Sequence, residues 1–247
     1  MATVVSVNVG LPRPVEFETT SLPMTGIEKR PVEGPVRITS YGVEGNACGD
    51  TAHHGDEFMR VYAYASEDYR WWEAELGRPP GRGLPPGHFA EQVTTEGIDL
   101  NAALVGETWR VGTAVLQISH VRIPCRTFKG WMGHTGHDDT SWVRRFARAG
   151  RPGPYFRVLE EGAVAAGDPI VVLDRPDHDV TVATLFRALL TEPALLPRLL
   201  VVDGLKDWVR ERARAAADSA ETSRHPGPVA HLIARDLGYG PITPEYR

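Results

Sequence analysis

The chain has 247 residues, a formal net charge of −5, and 42% hydrophobic and 24% charged residues. This composition is ordinary for a globular protein, and the negative net charge argues against a nucleic-acid partner. No run of 18 or more apolar residues is present, so neither a membrane-spanning helix nor a membrane partner is predicted.

The N-terminal segment lacks a cationic region before its apolar run, so it predicts a first strand and not a signal peptide. The only cysteines are Cys48 and Cys125. A disulfide framework needs more than two cysteines, and no signal peptide is predicted. The sequence therefore predicts a reducing, cytoplasmic location. A disulfide between the two is the less favoured alternative.

The chain up to residue 174 predicts many short strands separated by turns. Alternating and β-branched residues place the strands at 3–9, 36–40, 58–64, 89–95, 108–111, 114–121, 156–159, 163–164 and 170–173. Gly112-Thr113 makes a hairpin turn. Helices are predicted at 66–76, capped by Ser66, and at 140–149. This pattern is typical of a β-barrel or sandwich.

The pattern changes after Asp174, where apolar residues begin to recur at helical spacing. Residues 174–179 are therefore a linker. The chain is expected to form a strand-rich domain over residues 1–174 and a separable helical domain over residues 180–247.

Cys125 is the first candidate for chemistry, because it follows the rigid Pro124 at the end of a predicted strand. Arg122 and Arg126 lie close in sequence, and nearby cations favour the thiolate that ligates metals and attacks electrophiles. The alternative is a cysteine that only fills space in the core.

Acidic and imidazole side chains form the second set of candidates. His53 and His54 lie in a glycine-rich loop and are candidates for metal or anion binding, with a solvated surface loop as the alternative. Glu91, near His88, is a candidate proton donor if burial raises its pKa, and a solvated loop acid otherwise. The H-x-x-H of residues 134–137 is more typical of a flexible connection than of a metal pair.

Five segments together resemble a known family. They are V-E-G-N-A-C-G-D-T-A-H-H-G (43–55), A-E-Q-V-T-T-E-G (90–97), V-G-E-T-W-R-V-G-T-A-V-L-Q-I-S (105–119), R-I-P-C (122–125) and D-V-T-V (179–182). In order and spacing they resemble the MOSC domain, the molybdenum cofactor sulfurase C-terminal domain, in its YiiM-like branch. The resemblance covers nearly the whole chain.

The resemblance implies a mainly β fold with some α structure: a MOSC-type β-barrel followed by a small three-helix domain. It implies a molybdenum cofactor, whose pterin carries a phosphate, with Cys125 as ligand to the metal. Enzymes of this branch reduce N-hydroxylated small molecules with electrons from a separate redox protein, and Glu91 matches the acid that helps water leave. The implied cofactor-binding residues are His53, Gly55, Arg60, Gln92, Thr94, Arg122 and Arg126.

The chain departs from the family pattern at four positions. His54 replaces a small residue, Phe58 and Thr127 replace cations, and Gln92 replaces an asparagine. Fewer donors weaken an anion site, and Arg60, Arg126 and Lys129 are the candidates to replace them.

Three functions follow from these observations. The first is a molybdenum-cofactor oxidoreductase acting on N–O bonds. The second is an enzyme remodelled for other, biosynthetic small-molecule chemistry around a single transition-metal ion held by His53 or His54, His88, Glu91 and Cys125. The third is a non-catalytic carrier of the cofactor or of sulfur. A homodimer is an open alternative to a monomer.

Overall fold

The structure is a computed structural model that describes residues 1–17, 23–47, 55–77 and 83–222. Cys48, His53 and His54 therefore lie outside the described residues, as do residues 223–247 of the predicted helical domain. The strands of the described part are β1 (Thr3–Val9), β2 (Arg13–Pro14), β3 (Met24–Thr25), β4 (Arg30–Pro31), β5 (Val36–Thr39), β6 (Gly42–Val43), β7 (Val61–Ala65), β8 (Val93–Glu96), β9 (Thr108–Val111), β10 (Ala114–Val121), β11 (Pro154–Glu160), β12 (Gly162–Val164) and β13 (Ile170–Asp174). The α-helices are α1 (Ser66–Glu75), α2 (Arg126–His134), α3 (Trp142–Ala149), α4 (Val182–Leu190) and α5 (Asp207–Thr222), with 3-10 helices at Glu57–Met59 and Pro193–Val201.

Eight strands form one sheet in the order β13-β9-β10-β11-β7-β8-β1-β4. Its ladders are antiparallel except between β7 and β8, which run parallel. A smaller sheet has the order β12-β5-β6, and β2 pairs with β3. The long sheet wraps apolar side chains such as Trp109, Leu116 and Phe156 around a cavity of only about 10 Å³. This interior is a packed core, too small to hold a ligand.

The sheet is not closed into the barrel that the sequence predicted. A single isolated bridge, Thr3 to Pro169, joins β1 to the residue before β13. Two backbone hydrogen bonds flank this bridge, from Val4 to Asp168 (2.9 Å) and from Ile170 to Ala2 (3.0 Å). Thr3 and Pro169 form a non-hydrogen-bonded pair, in which neither residue's own N–H faces the other strand, and the bridge does not extend into a ladder of paired residues. The prediction of a strand-rich fold with some helix is confirmed, and that of a closed barrel is wrong.

Several predicted boundaries also need correction. Ser66 does not cap α1 but is its first residue, and no side chain caps that helix. The strand predicted from residue 58 begins at Val61, because Asp56 caps a 3-10 helix over Glu57–Met59. The strand predicted from residue 89 begins at Val93, after a turn. The helix predicted from residue 140 begins at Trp142.

The helix α4 packs against the sheet domain. The Thr181 side chain caps it by accepting a hydrogen bond from the Thr184 N–H. The ring of Phe186 meets Phe146 of α3 edge to face at 6.1 Å. The 3-10 helix Pro193–Val201 and α5 follow and pack on each other. That residues 180–247 form a separable domain remains a prediction. Among the described helices, none is both long and apolar enough to cross a bilayer.

Candidate active site

One end of the long sheet lies next to Cys125 and Glu91, two of the residues that the sequence singled out. The strand register places the end of β10 beside the starts of β11, β7 and β8, and these beside the end of β1. Val121 of β10 pairs with Pro154 of β11, and Tyr155 of β11 pairs with Tyr62 of β7. Two backbone hydrogen bonds continue the row, from the Gln92 N–H to the Tyr62 carbonyl at 2.9 Å and from the Asn8 N–H to the Gln92 carbonyl at 2.7 Å. At this end of the sheet, Cys125 lies in the segment that follows β10, and Glu91 lies in the segment that leads into β8. We call this end the candidate site.

Cys125 lies at the N-terminus of α2, a helix that the sequence reading missed. Its extended backbone makes it the N-cap residue, and its carbonyl accepts a hydrogen bond from the Lys129 N–H at 3.0 Å. The side chain is half-buried and in the free thiol form. The first N–H groups of a helix can bind an anionic group, so the Cys125 side chain lies at a helix end that suits an anion.

Arg122 is a buried cation beside this thiol. Its guanidinium lies 4.6 Å from the ring centre of Phe128 and 5.4 Å from that of Tyr62. Burial acts to lower the pKa of Arg122, but the Tyr155 and Tyr62 phenols and the Cys125 thiol raise it, and the net shift is upward. Arg122 is therefore a charged group held by aromatic rings. Its buried Nε has no hydrogen-bond partner among the described residues.

Glu91 is completely buried, with its two carboxyl oxygens in different surroundings. Oε1 accepts hydrogen bonds from the Tyr69 hydroxyl, the Gly87 N–H and the Thr94 hydroxyl, each at 2.7 Å. Oε2 has no partner among the described residues. Burial raises the pKa of Glu91, although the three donors oppose the shift. A carboxyl group with a raised pKa and one uncommitted oxygen is suited to hold a proton.

A buried polar network holds Glu91 in place. The Thr94 hydroxyl accepts from the Asn8 amide at 3.0 Å, and Asn8 in turn accepts from the Ser6 hydroxyl at 2.9 Å. The Gln92 side chain accepts from the Tyr62 N–H at 2.8 Å. Thr94 and Gln92 were predicted to contact the cofactor. In the structure, the Thr94 side chain binds Glu91, and the Gln92 side chain binds the backbone of β7.

Sequence reasoning missed the roles of Asn8 and Tyr69. Asn8 is a polar residue in an otherwise valine-rich buried strand, which was a usable signal. Tyr69 is buried among core side chains, and its hydroxyl also donates to Glu91.

The backbone before Glu91 is strained. Ala90 has a φ of 65°, a left-handed conformation that costs a non-glycine residue roughly 1–2 kcal/mol. Such strain persists where the surrounding structure imposes it, often at functional sites. Here it accompanies the turn that directs Glu91 inward.

The other predicted anion-binding cations differ in their surroundings. Arg60 donates from Nη1 to the Gly55 carbonyl at 3.0 Å, and its buried Nε has no partner within the described ranges. Arg126 is exposed beside Cys125. Lys129 lies 3.7 Å from Asp139, and Thr127 is buried.

The histidines do not form a metal centre with the other described residues. His88 is buried, and its ring is perpendicular to that of His137 at 5.1 Å between centroids. His134 stacks on Trp131 at the end of α2, so the segment predicted as a flexible connection is partly helical. No group of three or more His, Cys, Asp or Glu side chains suited to a metal ion occurs among the described residues.

The donor set of the candidate site fits an anionic, metal-bearing cofactor. The half-buried Cys125 thiol at a helix N-terminus offers a soft ligand. The buried Nε groups of Arg60 and Arg122, unsatisfied by any described residue, offer donors for an anion. Glu91 adds a buried carboxyl group.

Comparison with known proteins identifies the family of the chain. The sequence model of the MOSC domain family matches residues 50–171. The uncharacterized protein YflK of Bacillus subtilis (strain 168) is 32% identical over 179 residues, which cover 72% of this chain and 76% of YflK. A protein of Gibberella moniliformis (strain M3125 / FGSC 7600) named "Reductase" is 30% identical over 225 residues, which cover 85% of this chain but 37% of that protein. The crystal structure of YiiM from Geobacillus stearothermophilus superposes with a TM-score of 0.68 at 27% identity, covering 87% of this chain and 99% of that one.

Proposed function

Because this chain belongs to the MOSC domain family, in its YiiM-like branch, we propose that it is a molybdenum-cofactor-dependent reductase of N-hydroxylated small molecules. The family is associated with the molybdenum cofactor and with oxidoreductases. The observation that carries the proposal is the half-buried Cys125 thiol at a helix N-terminus, beside the buried, charged Arg122. The finer assignment to N–O bonds rests on the R-I-P-C and A-E-Q motifs.

Each residue of the candidate site has a role in this proposal. The Cys125 thiolate would ligate the metal, and Arg60, Arg122 and Arg126 would pair with the anionic groups of the pterin. When bound, the cofactor supplies two-electron reduction at its metal. The electrons come from a separate redox protein.

Glu91 can supply one of the two protons that the reaction consumes. Reduction of R–NH–OH to R–NH₂ breaks the N–O bond, consumes two electrons and two protons, and releases water. Tyr69, Thr94 and the Gly87 N–H occupy Oε1, so a proton on Glu91 is carried by Oε2. Burial keeps that proton bound at a pH where an exposed glutamate has lost it.

The first prediction concerns turnover by wild type and by Cys125→Ser. Wild type is expected to reduce an amidoxime to the amidine under anaerobic conditions with a chemical reductant, whereas Cys125→Ser is expected to be inactive. Because the thiol is only half-buried, the melting temperature of the variant should stay close to that of wild type.

Cys48→Ser is the control, and it should retain activity. Full activity of Cys125→Ser would remove Cys125 from the site. A wild-type protein that carries the cofactor but reduces no N-hydroxylated compound would contradict the reductase proposal and favour a carrier.

A further inference from the structure

The segment that leads into α5 packs on β10 and β11 of the long sheet. We call residues 202–208, which include the first two residues of α5, the strap. A side-chain carbon at Gly204 would lie 3.2 Å from the Arg157 guanidinium on β11, so this glycine packs directly on that group. Trp208 meets the ring of His120 on β10 at 5.8 Å, perpendicular to it. Between them, Lys206 points to the turn that precedes β7.

Lys206 is a nearly buried cation in the strap. Its side chain is 12% exposed, and Nζ lies 2.5 Å from Asp56 Oδ2 and 6.0 Å from the ring centre of Phe58. Its backbone is also fixed, because its carbonyl accepts hydrogen bonds from the Val209 and Arg210 N–H groups at 3.0 and 3.1 Å. The lysine end of this ion pair is shielded from water, whereas the Asp56 side chain is 42% exposed, so solvent screens part of the interaction.

The turn that Lys206 contacts is residues 55–60. Asp56 uses its other oxygen, Oδ1, to accept from the Phe58 N–H at 3.0 Å, so one carboxylate links the turn to the strap. The Phe58 carbonyl accepts from the Ser119 hydroxyl at 2.7 Å. The turn ends at Arg60, whose N–H donates to the Phe156 carbonyl at 3.1 Å, directly before β7 enters the candidate site.

We propose that Lys206 is a positioning residue of the candidate site. Through Asp56 and Phe58 it fixes the turn, so that Arg60 presents its guanidinium to an anionic group of the cofactor. It also neutralises Asp56, whose charge would otherwise oppose anion binding four residues before Arg60. Lys206 is about 150 residues away from Asp56 in the sequence. The identity of the anion rests on the proposed function, whereas the fixation of the turn does not.

The test compares Lys206→Met, which keeps the length of the side chain without its charge, with Lys206→Arg, which keeps the charge. Arg187→Met is the matched control, because it removes a cation from α4 whose pair with Glu192 is exposed. Two quantities are measured on the full chain: pterin content after purification, and hydrogen exchange of the amides of residues 55–60.

Lys206→Met is expected to retain at least about tenfold less pterin than wild type and to exchange the Phe58 and Arg60 amides faster, with the sheet amides unchanged. Lys206→Arg should restore both quantities, and Arg187→Met should leave both at the wild-type level. A merely structural role would instead lower the melting temperature and speed exchange throughout the sheet.

Pterin retained by Lys206→Met at the wild-type level would overturn the assignment of Lys206 to the site. Unchanged exchange at Phe58 and Arg60 would overturn the fixation of the turn. If wild type itself carries no pterin, the proposed function fails, and the exchange rates alone decide whether Lys206 positions the turn.

Discussion

Glu91 is the residue whose chemistry depends most directly on its burial. The pKa of this carboxyl group is raised above its ordinary value of 4.5, because ionising it inside the protein loses the solvation that water gives. The folded state therefore binds the proton more tightly than the unfolded state does. The stability linked to this proton is fully present below pH 4.5 and is lost as the pH rises through the raised pKa.

We therefore expect Glu91→Gln to gain stability relative to wild type as the pH rises from about 5 to about 9, because glutamine cannot ionise. The amide oxygen can still accept from Tyr69, Thr94 and Gly87, so the network should persist. The measurement is the free energy of unfolding in urea, for both proteins, across that pH range. A difference that does not change with pH would show that Glu91 is ionised equally in both states.

Residues whose roles are local could be predicted from the sequence, and residues whose roles depend on distant contacts could not. Cys125 and Arg122 were identified because R-I-P-C is contiguous. The role of Asn8 depends on Thr94, 86 positions away, and that of Lys206 depends on Asp56. No short-range pattern records such contacts. Whether Cys125, Glu91 and the cations bind a cofactor remains a prediction.

At the scale of elements, α2 shows why a helix next to the candidate site was missed. Phe128, Trp131 and Met132 lie at helical spacing and are buried, so the periodic signal was present. Gly130 and Gly133 interrupt the helix-forming residues, and glycine lowers helix propensity by about 1 kcal/mol relative to alanine. Tertiary packing outweighs that cost here. The strands were easier to predict, because alternation and turn residues agree at each of them.

The helices after β13 offer a test by truncation. Val180, Val182, Leu185 and Phe186 are fully buried, and each contributes roughly 1.5–3 kcal/mol by burial. Their sum approaches the total stability of a typical domain, about 5–15 kcal/mol. We therefore expect a chain ending after Leu173 to lose cooperative thermal unfolding, and a chain ending after Thr191, which keeps α4, to retain it.

Cooperative unfolding of the shorter chain would instead support a separable domain that begins at residue 180. In either case the chain ending after Thr191 lacks the strap, so it should also retain less pterin.

At the scale of the whole molecule, the fold brings the starts or ends of five strands to one place. The fold class could be predicted because strand-rich patterning extends over residues 1–174. Closure of the sheet could not, because it depends on whether the first and last strands meet, and that contact consists of one bridge. The candidate site does not require a closed barrel, since its strands are consecutive neighbours within the sheet.

The proposed function depends on one property of this molecule, the binding of a molybdenum cofactor at Cys125. The most direct measurement is elemental analysis of the purified full-length protein together with a fluorescence assay for oxidised pterin. We expect molybdenum and pterin, each equimolar with the chain, in wild type, and a loss of molybdenum in Cys125→Ser. Zinc, iron or copper bound without pterin would contradict the account and support an enzyme remodelled around a single metal ion.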